Sequence, residues 1–317
     1  MKTWKFWVRK KSTKRFVLCL DGGGMRGIIP VRVLMELEKC LKDLGSSKPL
    51  VSYFDLVAGT STGGLIALAL TCTDFGLEEL YESYKSSGPA IFPQSERTIS
   101  KVLRTLTAEK YPVSGLETLL KTWLGDTELS QAEVNTLIMT YDVAKGKELV
   151  LKSWEDTGFK AFEAARATSA APTYFAPYRK NGMVLVDGGV IANNPSLFAY
   201  SEAKQLWNNC SDFTILSIGT AGRVHSMPDE ETSGILNWAD NILSLYATAQ
   251  KRTADSILDT MPDVKYLRIE DQLKEKVSMD DTSDRALKIT ASHAEAICKK
   301  FRPQLEELAQ ALVENRK

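Results

Sequence analysis

The sequence predicts an α/β fold of three layers: a mainly parallel central sheet flanked by helices, with further helices at the C-terminus. Three observations carry this. FVLCL (16–20) is an apolar, β-rich run that ends at DGGG and leads into a helical pattern. YFDLVAG (53–59) repeats the design and leads into an apolar helix after Gly64. MVLVDGG (183–189) and FTILSIGTAG (213–222) are again strands that run into glycine turns. The first 75 residues therefore read β-turn-α-β-turn-α, the arrangement of a parallel sheet covered on both faces.

The elements follow in order. From Ile28 to Leu44, Val31, Leu34, Leu37, Leu41 and Leu44 recur at helical spacing; Pro30 suits the first turn and Gly45 stops the helix. Residues 77–125 read as mainly helical, interrupted by SSGPAIFPQSER (86–97), a mobile-looking stretch and a candidate lid. VNTLIMTYDVAKGKELVLKSW (134–154) reads as two strands joined near Lys145-Gly146-Lys147. KAFEAARAT (160–168) is a helix, and residues 233–317 are mostly helical apart from VKYLRI (264–269). There is no internal repeat and no convincing linker, so one domain is expected: a core over 16–222 and a mostly helical extension over 223–317 packed on it.

Bulk numbers exclude several classes. Forty basic residues balance forty acidic ones, which gives no bulk affinity for nucleic acid. Five cysteines, with no CxxC pair, argue against zinc ribbons and redox motifs and suit free thiols in a reducing cytosol. No apolar stretch reaches the roughly 18 residues that a membrane span needs. Residues 1–15 hold seven Lys or Arg, no acid, and Trp4, Phe6 and Trp7. That composition suits contact with anionic lipid, and equally a loosely docked terminus; no apolar run follows it as in a secretory leader.

The first glycine turn, GGGMRG (Gly22, Gly23, Gly24, Met25, Arg26, Gly27), fits GxGxxG between a strand and a helix. Glycines let backbone N–H groups approach a negative group, which serves a dinucleotide or an oxyanion equally well. Arg26 stands where a guanidinium meets a phosphate or a surface carboxylate.

The second glycine turn favours the oxyanion. GTSTG is a GxSxG match in a strand-turn-helix context, with Ser61 between Gly59 and Gly63. A serine hydroxyl needs a base, and the chain has only two histidines. His293 sits in a helical pattern that suits packing. His225 follows a strand end, and its order after Ser61 and Asp187 is compatible with a triad. Asp187, ahead of Gly188 and Gly189, is a second candidate. A carboxylate at the end of an apolar strand gains proton affinity and can act as a base; D-G-G is also an ordinary turn.

With DGGGMRG (21–27), GTSTG (59–63), ATSAAPTYFAP (167–177) and DGGVIANNPSLFAY (187–200) in place, the chain resembles the patatin-like phospholipases over roughly residues 16–222. The resemblance implies that family's three-layer fold and hydrolysis of lipid acyl esters. It implies a Ser61–Asp187 dyad without histidine, an oxyanion hole from Gly23 and Gly24, and no metal or cofactor. His225 then has no catalytic part. A bacterial subset of the family serves as cyclic-nucleotide-activated effectors that degrade membranes in anti-phage defence, and the size and basic N-terminus are compatible with it. The expected partners are phospholipid at a membrane surface and a cyclic oligonucleotide activator, with a homo-oligomer compatible and no DNA or RNA polymer. The expected location is cytoplasmic, peripheral at the inner membrane. Rival readings are an NAD-binding oxidoreductase through GGGMRG and an inactive lipid-binding homologue.

Overall fold

The computed structural model of the chain describes residues 14–93, 109–222, 235–275 and 277–316. The basic N-terminal patch up to residue 13, residues 94–97 of the candidate lid, and His225 lie outside them.

The strands are β1 (Lys14–Leu20), β2 (Leu56–Thr60), β3 (Asn135–Asp142), β4 (Lys147–Lys152), β5 (Tyr178–Lys180), β6 (Met183–Asp187), β7 (Asp212–Ile218) and β8 (Val264–Ile269). The helices are α1 (Ile28–Asp43), α2 (Thr62–Cys72), α3 (Leu77–Ile91), α4 (Ser114–Leu124), α5 (Ala161–Thr168), α6 (Gly189–Ala192), α7 (Ser196–Leu206), α8 (Ile235–Leu258) and α9 (Asp284–Asn315). One sheet runs β5-β6-β3-β2-β1-β7-β8, with β4 on the other edge of β3. Pairings are parallel from β3 through β2, β1 and β7 to β8; β4, β5 and β6 join antiparallel.

The period of two along β1 divides its side chains between two cores. Phe16, Leu18 and Leu20 join a large core with α1, α2, α3, α4, α5 and α9; Val17 and Cys19 join a smaller one beneath α7. These two helix layers with the sheet between them make the expected three-layer fold. Helix α2 is buried along nearly its whole length, from Thr62 to Thr71, as a helix apolar on every side requires. Helix α9 packs along α1, with Arg302 on Glu36 and Arg32 on Glu295, both at 2.6 Å.

The structure departs from the sequence reading in several places. The second strand starts at Leu56, because Tyr53 closes a 3-10 turn over Leu50–Tyr53. The stretch from Ser86 to Ile91 is not a loop: it completes α3, with Pro89 inside the helix. Arg26 lies in a 3-10 turn, Gly24–Gly27, that precedes α1. Strand β5 and helix α7 went unread. VKYLRI, read as a strand within the C-terminal extension, joins the central sheet as β8 at one edge, parallel to β7.

The register along β3 positions the site. Strand β2 runs parallel to β3 as far as Thr60 opposite Met139. Beyond that point β6 takes over the same edge in the opposite direction, starting with Asp187 opposite Thr140. The C-terminal ends of β2 and β6 thus meet head to head, one residue apart along β3. On the other side, Leu20 pairs with Gly59 and Ile218, so the turns after β1, β2 and β7 open at one level. This is the carboxyl end of the strands, where open α/β sheets hold their ligands.

Candidate active site

Ser61 stands between β2 and α2 with φ 54° and ψ −125°, a backbone conformation unusual for an L residue. Two features hold it there. Its N–H donates to Thr168 Oγ1 at 2.8 Å, and that hydroxyl donates to the Met139 carbonyl at 2.6 Å. Gly63 brings α2 against β1: a Cβ at this position would lie 2.1 Å from the Leu20 carbonyl oxygen, which is backbone and cannot yield.

Asp187 is 5 % exposed. Its Oδ1 accepts the Gly189 N–H at 2.7 Å, and the nearby Ser61 hydroxyl favours its charged form. No Lys or Arg pairs with it among the described residues. Burial therefore dominates and pushes its pKa up to about 6, against the opposing pull of the Ser61 hydroxyl and the Gly189 N–H.

The glycine turn after β1 faces this pair. A Cβ on Gly22 would stand 3.2 Å from the Ser61 Cβ. The Gly22 N–H is taken by the Asn193 carbonyl at 3.1 Å and that of Met25 by the Met279 carbonyl at 2.8 Å. Between them, the N–H groups of Gly23 and Gly24 make no hydrogen bond to the described residues. Gly24 has φ +58°, and a Cβ there would meet the Met279 carbonyl at 2.2 Å, so the turn needs glycine at this position. Thr220 Oγ1 at 2.7 Å and Asn193 Nδ2 at 3.3 Å both donate to the Gly22 carbonyl.

Beneath the turn, Asp21 is fully buried and bound by both arms of Arg268, at 2.9 and 2.6 Å. Arg268 also bonds Glu270 at 2.6 Å and Ser217 at 2.7 Å. Lys251 closes the cluster, 3.0 Å from Glu270 and 3.4 Å from Asp21. Burial alone would raise the proton affinity of Glu270, but Lys251 and Arg268 hold it down at about 2.

A cavity of about 330 Å³ opens over these groups. Gly22 to Gly24, Ser61 and Asp187 lie on one wall; Leu65, Phe92, Leu116 and Phe175 are among the apolar residues around them. Arg26 also lines it. No described carboxylate forms an ion pair with Arg26, and its Nε is buried without a hydrogen-bond partner. Burial lowers its pKa, opposed by Glu270 and Tyr174. The surface ion pair is therefore absent among the described residues. His293 lies on α9 and does not line the cavity.

The structure thus brings Gly22 to Arg26, Ser61, Asp187 and Gly189 to one cavity, whereas Gly27, Gly59, Gly63 and Gly188 do not line it. Sequence reasoning missed Thr168, Asn193, Thr220, Lys251, Arg268 and the Met279 carbonyl. Thr168 and Asn193 carried a weak signal, as polar residues inside the runs ATSAAP and VIANNP.

Fold and site together define an α/β protein in which a serine on a strand–helix elbow and a buried carboxylate line one cavity at the carboxyl end of the sheet. More specifically, the chain belongs to the patatin-like phospholipase family, whose model matches residues 18–200. Patatin-like protein 2 of Oryza sativa subsp. indica is 34 % identical, over 84 % of this chain and 79 % of its own length. Patatin-like protein 2 of Arabidopsis thaliana is 33 % identical, over 90 % of this chain and 83 % of its own. A protein of Escherichia coli named cGAMP-activated phospholipase is 34 % identical, over 67 % of this chain and 63 % of its own. Among solved structures, VipD from Legionella pneumophila matches with a TM-score of 0.40 at 12 % identity, over 90 % of this chain and 67 % of its own. Membership implies lipid-hydrolase activity. No helix among the described residues is long and apolar enough to cross a membrane.

Proposed function

We propose that the protein is a phospholipase A-type lipid acyl hydrolase working through a Ser61–Asp187 dyad. The observation that carries this is the buried Asp187 carboxylate, without an ion-pair partner among the described residues, beside a serine held in a strained backbone conformation at the same cavity. A carboxylate with a pKa near 6 accepts a proton from serine more readily than an ordinary aspartate does. Ser61 Oγ attacks the acyl carbonyl as Asp187 takes its proton. The N–H groups of Gly23 and Gly24 stabilise the oxyanion, and losing one such donor costs about 3 kcal/mol of barrier. The proton then leaves with the lysolipid alcohol. Asp187 next activates water, and the fatty acid is released.

Arg26, charged and without an ion-pair partner at the cavity wall, is suited to the lipid phosphate. The substrate reaches the site from a membrane surface. The test is hydrolysis of a p-nitrophenyl ester and of phospholipid vesicles by wild type, Ser61→Ala and Asp187→Asn. Turnover by wild type alone supports the dyad. No turnover by any of them returns the chain to an inactive lipid-binding homologue. Tight NAD binding without ester cleavage would favour the dinucleotide reading of GGGMRG.

The match to a relative named for cGAMP activation favours one regulatory reading: a cyclic nucleotide switches this enzyme on. Lipase activity with and without a panel of cyclic di- and trinucleotides tests it. Equal activity in every sample sinks that idea and leaves the hydrolase reading untouched.

A further inference from the structure

We infer that the apolar rim formed by α6 and α8 at the cavity mouth is the face that docks on a lipid bilayer. This rests on the lipid-hydrolase reading above. Seven large hydrophobic residues are exposed among the described residues, and four of them stand on these two elements near the mouth: Val190, Ile191, Leu245 and Tyr246. Tyr246 is 61 % exposed and Leu245 42 %. Val190 and Tyr246 also line the cavity, so the exposed apolar surface runs continuously into the apolar interior.

The rim is rigid. The Gln250 side chain donates to the Val190 carbonyl at 3.0 Å and accepts the Asn193 N–H at 3.1 Å, fixing α8 to α6. Helix α8 divides its faces accordingly. Ala247, Thr248 and Lys251 turn to the cavity, while Leu245, Ala249, Arg252, Thr253, Ser256 and Ile257 turn outward. Over residues 245–258, where side chains are described, the outward face carries one cation, Arg252, and no acid; Asp255 points instead to Arg268, 3.5 Å away, and to Asn194.

A helix whose outward face mixes Leu245, Ala249 and Ile257 with small hydroxyl residues and a single positive charge, next to the exposed Val190, Ile191 and Tyr246, suits the interface of an anionic membrane. A bilayer is favoured over a second copy of the chain by the position of the patch. A phospholipid acyl chain must leave the bilayer and enter this mouth, and docking here lets it do so without crossing water. A second copy seated on the rim would close that route.

The test uses the full chain and vesicles of phosphatidylcholine with and without phosphatidylglycerol. Ile191→Glu and Leu245→Glu alter the rim without touching cavity-lining side chains. The expected result is vesicle binding and vesicle-lipid hydrolysis reduced at least tenfold in the double variant, with turnover of a soluble short-chain ester unchanged. Ala249→Trp is expected to tighten binding several-fold, a gain that misfolding cannot produce. Arg252→Glu is expected to remove most of the preference for the anionic vesicles. Unchanged vesicle binding in the double variant and in Ala249→Trp overturns the inference. So does light scattering that shows a wild-type dimer dissolved by the same substitutions. If wild type binds vesicles through this face but turns over no ester, docking stands and the hydrolase reading falls.

Discussion

Two buried carboxylates stand at strand ends ahead of glycine turns, and they are treated in opposite ways. Asp21 is fully buried and bonded bidentately by Arg268, with Lys251 close by. Asp187 is almost as buried and has only a serine hydroxyl and a glycine N–H. A buried charge held by a fitted cation fixes geometry, here that of the turn carrying Gly22 to Gly24. A buried charge left without a cation binds a proton near neutrality. The contrast separates a carboxylate that holds the site from one equipped to work in it, although both sit at strand ends ahead of glycines.

The sharpest way to break the comparison is to remove the working pair. Ser61→Ala or Asp187→Asn is expected to lower kcat roughly 10⁴–10⁶-fold, the range for losing one member of a catalytic unit. The double variant should be little worse than either single one. Additive losses measured with a soluble ester would show that the two groups do not act together.

Removing the holding pair comes next. Arg268→Met leaves Asp21 buried without its bidentate partner, and is expected to cost about 3–5 kcal/mol of stability. Asp21→Asn in the same chain removes the stranded charge, so the double variant should recover part of that loss. Urea titration measures both. If Arg268→Met folds as stably as wild type, the cluster is not what secures the turn.

The sequence made one half of this comparison legible and hid the other. Ser61 and the glycines declare themselves locally, because a strand, a glycine turn and a helix occupy consecutive residues. Asp187 showed its strand end but not its surroundings, so D-G-G alone read equally as an ordinary turn. Arg268 could not be paired from the sequence, since its partner lies 247 residues away and on the far side of β7 in the sheet. Its signal was one of two charged residues in the strand VKYLRI, beside Lys265, of a kind that surface-facing positions also give. The candidate lid misled because a serine, glycine and proline cluster reads as a loop, whereas packing carries α3 through it to Ile91.

The unpaired state of Asp187 also has a signature in pH. Folding raises its pKa from the ordinary 3.8 to about 6, so between these values the folded chain holds this proton more often than the unfolded one. Its contribution therefore favours folding most at low pH and declines as pH rises to about 6, by about 3 kcal/mol in all. Asp187→Asn carries no such charge. The variant should melt above wild type at pH 8 and lose that advantage near pH 4. Catalysis should run the other way, with kcat/KM on a soluble ester rising through about pH 6 as the base ionises. A wild type that stays more stable than Asp187→Asn at pH 8 would mean that an unseen partner compensates the carboxylate.

The smallest effect tests how the serine is held. Thr168 stands on neither carboxylate, yet its hydroxyl accepts the Ser61 N–H and donates to the Met139 carbonyl. It ties the strained elbow to β3, the strand whose edge both β2 and β6 share. Thr168→Val keeps the shape but leaves that N–H and that carbonyl without their partner, at a cost of about 1–3 kcal/mol. Because the elbow sets the direction of the hydroxyl toward Asp187, kcat should fall about tenfold, an order-of-magnitude expectation for a small displacement of reacting groups. KM for a soluble ester should change little. Thr168→Ser keeps the hydroxyl and should restore both stability and kcat. Recovery of stability without recovery of kcat would assign Thr168 to packing against Gly64, whose Cα faces its methyl group, and not to aiming the serine.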